Sequence, residues 1–226
     1  MSEHIDILRS LQHSDSFFPA GATAMSAGLE TLVDEGRISS SPEVEEHLHG
    51  QLNCRWAEFD RPVLVAAYCA GDDHGRVAEI DAQVEAQTLA TESRTGSQRA
   101  GRSLLGVHVK MGTTNAFKYQ AMIGRATAYG HNSVIQGLVW RATGISELTA
   151  QAMSAHIFCI GLVSAALRLG VIGHISAQEI VSNAHDLIDQ ILVLDATDLE
   201  HISSFAPEQE IAVMRHESMS YRLFVN

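Results

Sequence analysis

Apolar residues recur along this chain mostly at helical spacing. Ile5, Leu8 and Leu11, three residues apart, predict a short first helix. The stretch Phe17 to Glu30, FFPAGATAMSAGLE, breaks that pattern. Pro19 fixes φ and favours an extended Phe18, and Gly21 permits a positive φ, so the chain turns there. A small-residue helix is expected from Ala22 through Leu29, with a face thin enough for another backbone or another protein to approach. Ser41-Pro42-Glu43 reads as a serine N-cap, a proline in the first turn and an acid favoured by the helix dipole. That helix runs through Val44, Leu48, Leu52 and Trp56 towards Phe59, and Pro62 is expected to kink or restart it before the run Val63 to Cys69.

Gly71 to Gly75 reads as a turn, followed by the stripe Val77, Ile80, Val84 and a helix through Leu104, Leu105, Val107 and Val109. Gly112 to Asn115 is a predicted loop, with a short helical piece after it to about Tyr129 and a helix from Val134 to Thr143 closed by Gly144. Ser146 caps a long helix ending near Leu169 and stopped by Gly170. Being apolar nearly all round, that helix is predicted to be central. Ser176-Ala-Gln-Glu179 reads as a capping box opening a helix with Ile180, Leu187, Ile191 and Leu194. Pro207 starts a last helix through Ile211 and Met214, and periodicity is lost after His216. Strand alternation is scarce. The prediction is an all-α fold: one helical bundle over residues 1–226, of about nine or ten helices, with a long apolar central helix and a C-terminal tail, 216–226.

Composition narrows the function. Apolar residues make up 46% of the chain and charged ones 19%, oily for a free-standing monomer, which implies apolar surface hidden against partners. A net charge of −12 with no basic run disfavours nucleic acid and anionic membranes. Three scattered cysteines exclude a disulfide framework and read as buried reduced thiols. The N-terminus carries no signal-peptide pattern, and the longest oily run, Ala152 to Leu167, falls short of a membrane span, so a cytoplasmic location is expected.

Candidate chemistry is thin. Among twelve histidines the closest pair, His47 and His49, points about 200° apart on a helix and cannot readily share an ion. HxxxH, HExxH, CxxC, phosphate-loop, GxGxxG and GxSxG patterns are all missing, so neither a metal, a nucleotide nor an activated nucleophile is predicted, and no enzyme. Arg94, Gln98 and Arg102 fall on one helical side beside a strip thinned by Ser97 and Gly101. This is either an ordinary solvated face or a docking surface with arginines available to carboxylates or phosphates. His216, beside Arg215 and Glu217, and the terminal Tyr221, Arg222, Leu223 and Phe224 suggest docking, within the chain or onto a partner. The residues alone also leave open an all-α metal- or ligand-binding regulator with the histidines as its site.

Taken together, the ordered segments resemble the UreF family of urease accessory proteins over nearly the whole chain. The early proline-glycine stretch ends in Ser26, Gly28, Leu29 and Glu30. ESRTGSQRAGRSLL resembles the family's central helix with its Gly-Arg pair, Gly101 and Arg102. HNSVIQGLVWRATGI and SAALRLGVIG are similar to later helices, and Pro207, Met214, His216, Glu217, Arg222, Leu223 and Phe224 match the ending. The chain departs where the family carries an aromatic-Ser-Tyr-Ser run, reading Thr23-Ala24-Met25-Ser26 instead.

The resemblance implies a non-catalytic scaffold that forms homodimers, binds a UreD/UreH-type accessory protein and recruits the GTPase UreG, so that nickel is inserted into apo-urease. It implies no resident cofactor, nickel passing only in transit. On that basis Pro19, Gly21, Ser26, Gly28, Glu30, Gly101 and Arg102 are expected to face the GTPase, and His216, Arg222, Leu223 and Phe224 the UreD-type partner. Glu30→Ala and Arg102→Ala are expected to weaken recruitment while leaving the fold intact.

Overall fold

The computed structural model describes residues 3–15, 17–19, 26–204, 206–217, 219 and 222–224. They form eleven α-helical segments: α1 Glu3–Ser14, α2 Leu29–Asp34, α3 Ser41–Gln51, α4 Arg61–Ala70, α5 His74–Gln87, α6 Thr91–Lys110, α7 Ala116–Gly124, α8 Asn132–Ala142, α9 Glu147–Arg168, α10 His174–Val193 and α11 Pro207–His216. A π-helical stretch, Leu52–Asp60, joins α3 to α4 without a break, leaving ten separate helices. No strand occurs among the described residues, and the all-α expectation holds.

Pro62 behaves differently from the prediction. It lies in the first turn of α4, and the helix runs through it. Proline cannot bond the carbonyl four residues back. That carbonyl, on Glu58, instead accepts the Ser203 N–H at 3.1 Å, and the wider π turns take up the misfit. Two starts also shift. The N-cap before α3 is Ser40, with Glu43 reaching back to the Ser39 N–H and the Ser40 hydroxyl, one residue earlier than read from Ser41. Helix α10 begins at His174, so Ser176 lies inside its first turn. The Ser146 cap is as expected, accepting from the Thr149 N–H.

The core has two parts. Leu29, Leu32, Leu48, Leu52, Trp56 and Ile180 pack in one, and Phe59, Leu64, Ile80, Leu105, Tyr119 and Trp140 in the other. Helix α9 belongs to both, giving Met153 to the second and Cys159 and Leu162 to the first. It is long and apolar enough to cross a membrane by length and composition, yet here it is the axis around which both halves pack. At the joint, the Trp56 indole N–H donates to Ser154, whose hydroxyl donates to Gln136. This chain satisfies polar groups that burial would otherwise penalise.

Candidate functional site

Helix α2 cannot start earlier than it does. Ala27 (φ 52°) and Gly28 (φ 85°) are both left-handed, so Ser26 to Gly28 is a turn, not the end of a helix running to Leu29. The rest of that expected helix, with Gly21, lies outside the described residues. Gly28 also lies against α11, where a β-carbon would be 3.1 Å from the Gln209 carbonyl. Thr31 donates to the Ala212 carbonyl at 2.9 Å, and Arg215 pairs with Glu35. Helix α2 and α11 are thereby fastened together.

Between them lies a buried polar knot. Each ring nitrogen of His216 faces a carboxylate oxygen, of Glu30 at 2.9 Å and Glu92 at 3.0 Å. Glu30 also accepts the Leu223 N–H at 2.6 Å and the Phe224 N–H at 3.1 Å. Arg222 donates to the other Glu92 oxygen, and the Arg168 guanidinium lies 4.2 Å from the Phe224 ring centre. So Glu30, His216, Arg222, Leu223 and Phe224, expected on two partner surfaces, converge on one place inside the chain. Glu30, Gly28 and Ser26 are buried rather than open to a partner, whereas Pro19, Arg222 and Leu223 remain exposed. Glu92, at the first turn of α6, completes the knot and was not singled out by sequence.

The Gly101–Arg102 pair forms a second site. A β-carbon on Gly101 would lie 2.2 Å from the Gly130 carbonyl and 2.8 Å from the His131 carbonyl carbon, because the 129–132 loop crosses α6 there. Arg102 donates to the Tyr129 carbonyl at 2.8 Å. Beneath the loop, buried Asp81 accepts the N–H groups of Tyr129, Gly130 and His131 and the Tyr119 hydroxyl. His131 bridges Glu85 (2.9 Å) and Ser97 (3.1 Å). Burial pulls the His131 pKa down, against the opposing pull of Asp81 and Glu85. Asp81, Glu85 and His131 are far apart in sequence and carried no motif. Gly101→Ala is expected to cost at least about 1–3 kcal/mol, since backbone and not a flexible side chain must yield. Comparing urea midpoints with wild type checks this, and an unchanged midpoint would refute the close approach.

The segment leading to Pro19 is held by stacked rings. His13 lies 5.2 Å from His108 and 4.8 Å from Phe18. Burial first, then His13, holds His108 down from its ordinary 6.5 to about 4. The unfolded chain therefore takes up this proton first as pH falls. Stability is full above about 6.5 and is lost between 6.5 and 4, by up to about 3 kcal/mol. Urea titrations across that window, with His108→Phe flattening the slope, check the assignment.

Burial pushes the Cys159 thiol up to about 12, and burial with Glu147 raises Cys69. Among the described residues no group of three or more His, Cys, Asp or Glu is placed to hold a metal ion. Fold and sites together define an all-helical protein whose polar clusters clamp its own segments into a shaped surface.

The chain belongs to the UreF family of urease accessory proteins: the UreF family model matches residues 38–185. It is 32% identical over 225 residues to the urease accessory protein UreF of Trichodesmium erythraeum, covering 97% of this chain and 96% of that protein. The same-named protein of Haemophilus influenzae is 27% identical over 217 residues, covering 94% and 92%. That of Bacillus sp. TB-90 is 26% identical over 226 residues, covering 97% and 99%.

Proposed function

We propose that this chain is a non-catalytic scaffold of urease maturation in the cytoplasm. It forms a homodimer, binds a UreD/UreH-type protein and recruits a UreG-type GTPase, so that Ni²⁺ reaches apo-urease. The observation that carries this reading is the similarity to urease accessory proteins along 97% of the chain. The geometry supports it. The Glu30 knot ties helix α2 to the tail, and Ile211 and Met214 on α11 and Arg222 and Leu223 in the tail are exposed. Apolar side chains left exposed around a rigid polar anchor suit a partner footing.

The test is reconstitution. Urease expressed with its accessory proteins but without this chain should contain little nickel and little activity, and supplying the chain should restore both. Removing residues 218–226 should abolish co-purification with the UreD-type protein. Unchanged co-purification would rule out the tail as the docking element.

A further inference from the structure

The chain carries a charge asymmetry that its composition conceals. Between Glu92 and Glu147 there is no acidic residue, yet seven of the fifteen lysines and arginines lie there: Arg94, Arg99, Arg102, Lys110, Lys118, Arg125 and Arg141. The rest of the chain holds eight cations against all 27 acids. A strongly acidic protein thus has one basic province, formed largely by α6 and α7.

Helical geometry sorts these cations. The row Arg94–Gln98 is committed internally: Arg94 caps the Thr88 and Leu89 carbonyls, and Gln98 donates to Glu85. Arg99, Arg102, Gly106 and Lys110 recur at three- and four-residue spacing on another side of α6. That side lies opposite buried Gly96, Ala100, Leu104 and His108. Arg99, Arg102 and Lys110 are exposed there. Lys118 and Arg125 are exposed on and just after α7. Among the described residues none of Arg99, Lys110, Lys118 or Arg125 forms an ion pair. Next in sequence to Lys110 and Lys118 are two large exposed apolar side chains, Met111 (49% exposed) and Phe117 (70% exposed). Helices α6 and α7 pack against each other, so exposed cations without ion pairs and exposed Met111 and Phe117 share this part of the surface, and arginine, methionine and aromatics are what interfaces concentrate.

We infer that the α6–α7 face carrying Arg99, Lys110, Lys118 and Arg125 docks a carboxylate-rich surface of a partner protein, with Phe117 as its apolar anchor. This rests on the scaffold reading and supplies the chemistry of one partner contact. Charge decides the occupant. An RNA needs a run of cations following successive phosphates, whereas this face offers four separated cations together with exposed Met111 and Phe117, which suits discrete carboxylates on a folded partner. A second copy would bring no acid from its own 93–146 stretch to this face, since that stretch has none. An acidic partner surface gains register from short-range pairing with these cations, which added salt screens.

The test uses the full-length chain carrying R99E, K110E, K118E and R125E, with E179K and D186K at exposed positions of α10 as the control. Affinity for the purified UreD-type and UreG-type proteins is measured at low and raised salt, with octaglutamate and a short single-stranded RNA as probes. At low salt the reversal should weaken one partner at least about tenfold, the control should not, and wild-type affinity should fall as salt rises. Octaglutamate should bind wild type and not the reversal variant. Unchanged partner affinity in a variant with wild-type melting overturns the inference, as does RNA binding tighter than octaglutamate. If neither protein binds wild type, the scaffold reading fails, and octaglutamate then decides the face: saturable binding lost on reversal supports it, and no binding overturns it.

Discussion

Glu30→Ala should lower folding stability by about 3–5 kcal/mol and set the C-terminal tail free. The substitution removes the acceptor of the Leu223 and Phe224 amides and one hydrogen-bond partner of the His216 ring at once. Each buried donor left without a partner costs about 1–3 kcal/mol, partly recovered where water can reach the amides. His216, wholly buried, has no such relief. It keeps only Glu92, which is itself shared with Arg222. The check is urea denaturation together with hydrogen exchange at Leu223 and Phe224, whose amides should lose protection before the global transition. Any loss of partner binding in this variant then follows from the loosened tail, so the expectation that it spares the fold is replaced. Glu30→Gln offers the contrast. It keeps one acceptor oxygen and should retain part of the tail protection. A Glu30→Ala variant within about 1 kcal/mol of wild type, tail still protected, would show that the knot does not hold the ends.

What could be read from sequence was whatever depends on local spacing. The long helix from Ser146 to Leu169 was legible because an apolar run and a capping serine are properties of neighbouring residues, and the structure places it at the axis of both cores. Pro62 was legible as an irregularity but not in its outcome, because the compensating donor, the Ser203 N–H, comes from the far end of the chain. The candidate residues behaved likewise. Gly101 and Arg102 stood out as types, yet what they serve is a loop nearly thirty residues further on. Glu92, Asp81 and His131 gave no signal, since a buried carboxylate acquires its meaning only from donors that folding brings to it. The basic province was present in the sequence all along. It was hidden because whole-chain charge averages it away, and because the row marked by Arg94 and Gln98 is the internally bonded one.

Asp81→Ala should be the other large perturbation, costing about 3–5 kcal/mol and loosening the loop that Gly101 and Arg102 grip. Asp81 is fully buried and accepts four hydrogen bonds, three from consecutive amides of the 129–131 turn. Those amides precede α8, so the carboxylate sets where that helix begins and therefore how α8 meets α6. Alanine leaves the amides and the Tyr119 hydroxyl facing a cavity. Asparagine separates charge from geometry. One oxygen accepts from Tyr119, Tyr129 and Gly130, the other only from His131. An amide turned so that its oxygen keeps the first three contacts puts its nitrogen against the His131 N–H, losing one contact of four. Asp81→Asn should therefore cost less than Asp81→Ala, about 1–3 kcal/mol. Urea midpoints give the ranking, and exchange at Tyr129 to His131 gives its location. Equal costs for both variants would mean that charge alone, and not the directed set of donors, fixes the loop. Because Arg102 of α6 is held by the Tyr129 carbonyl of this loop, Asp81→Ala should also displace the Arg102 side chain and weaken partner binding there, without removing any exposed charge.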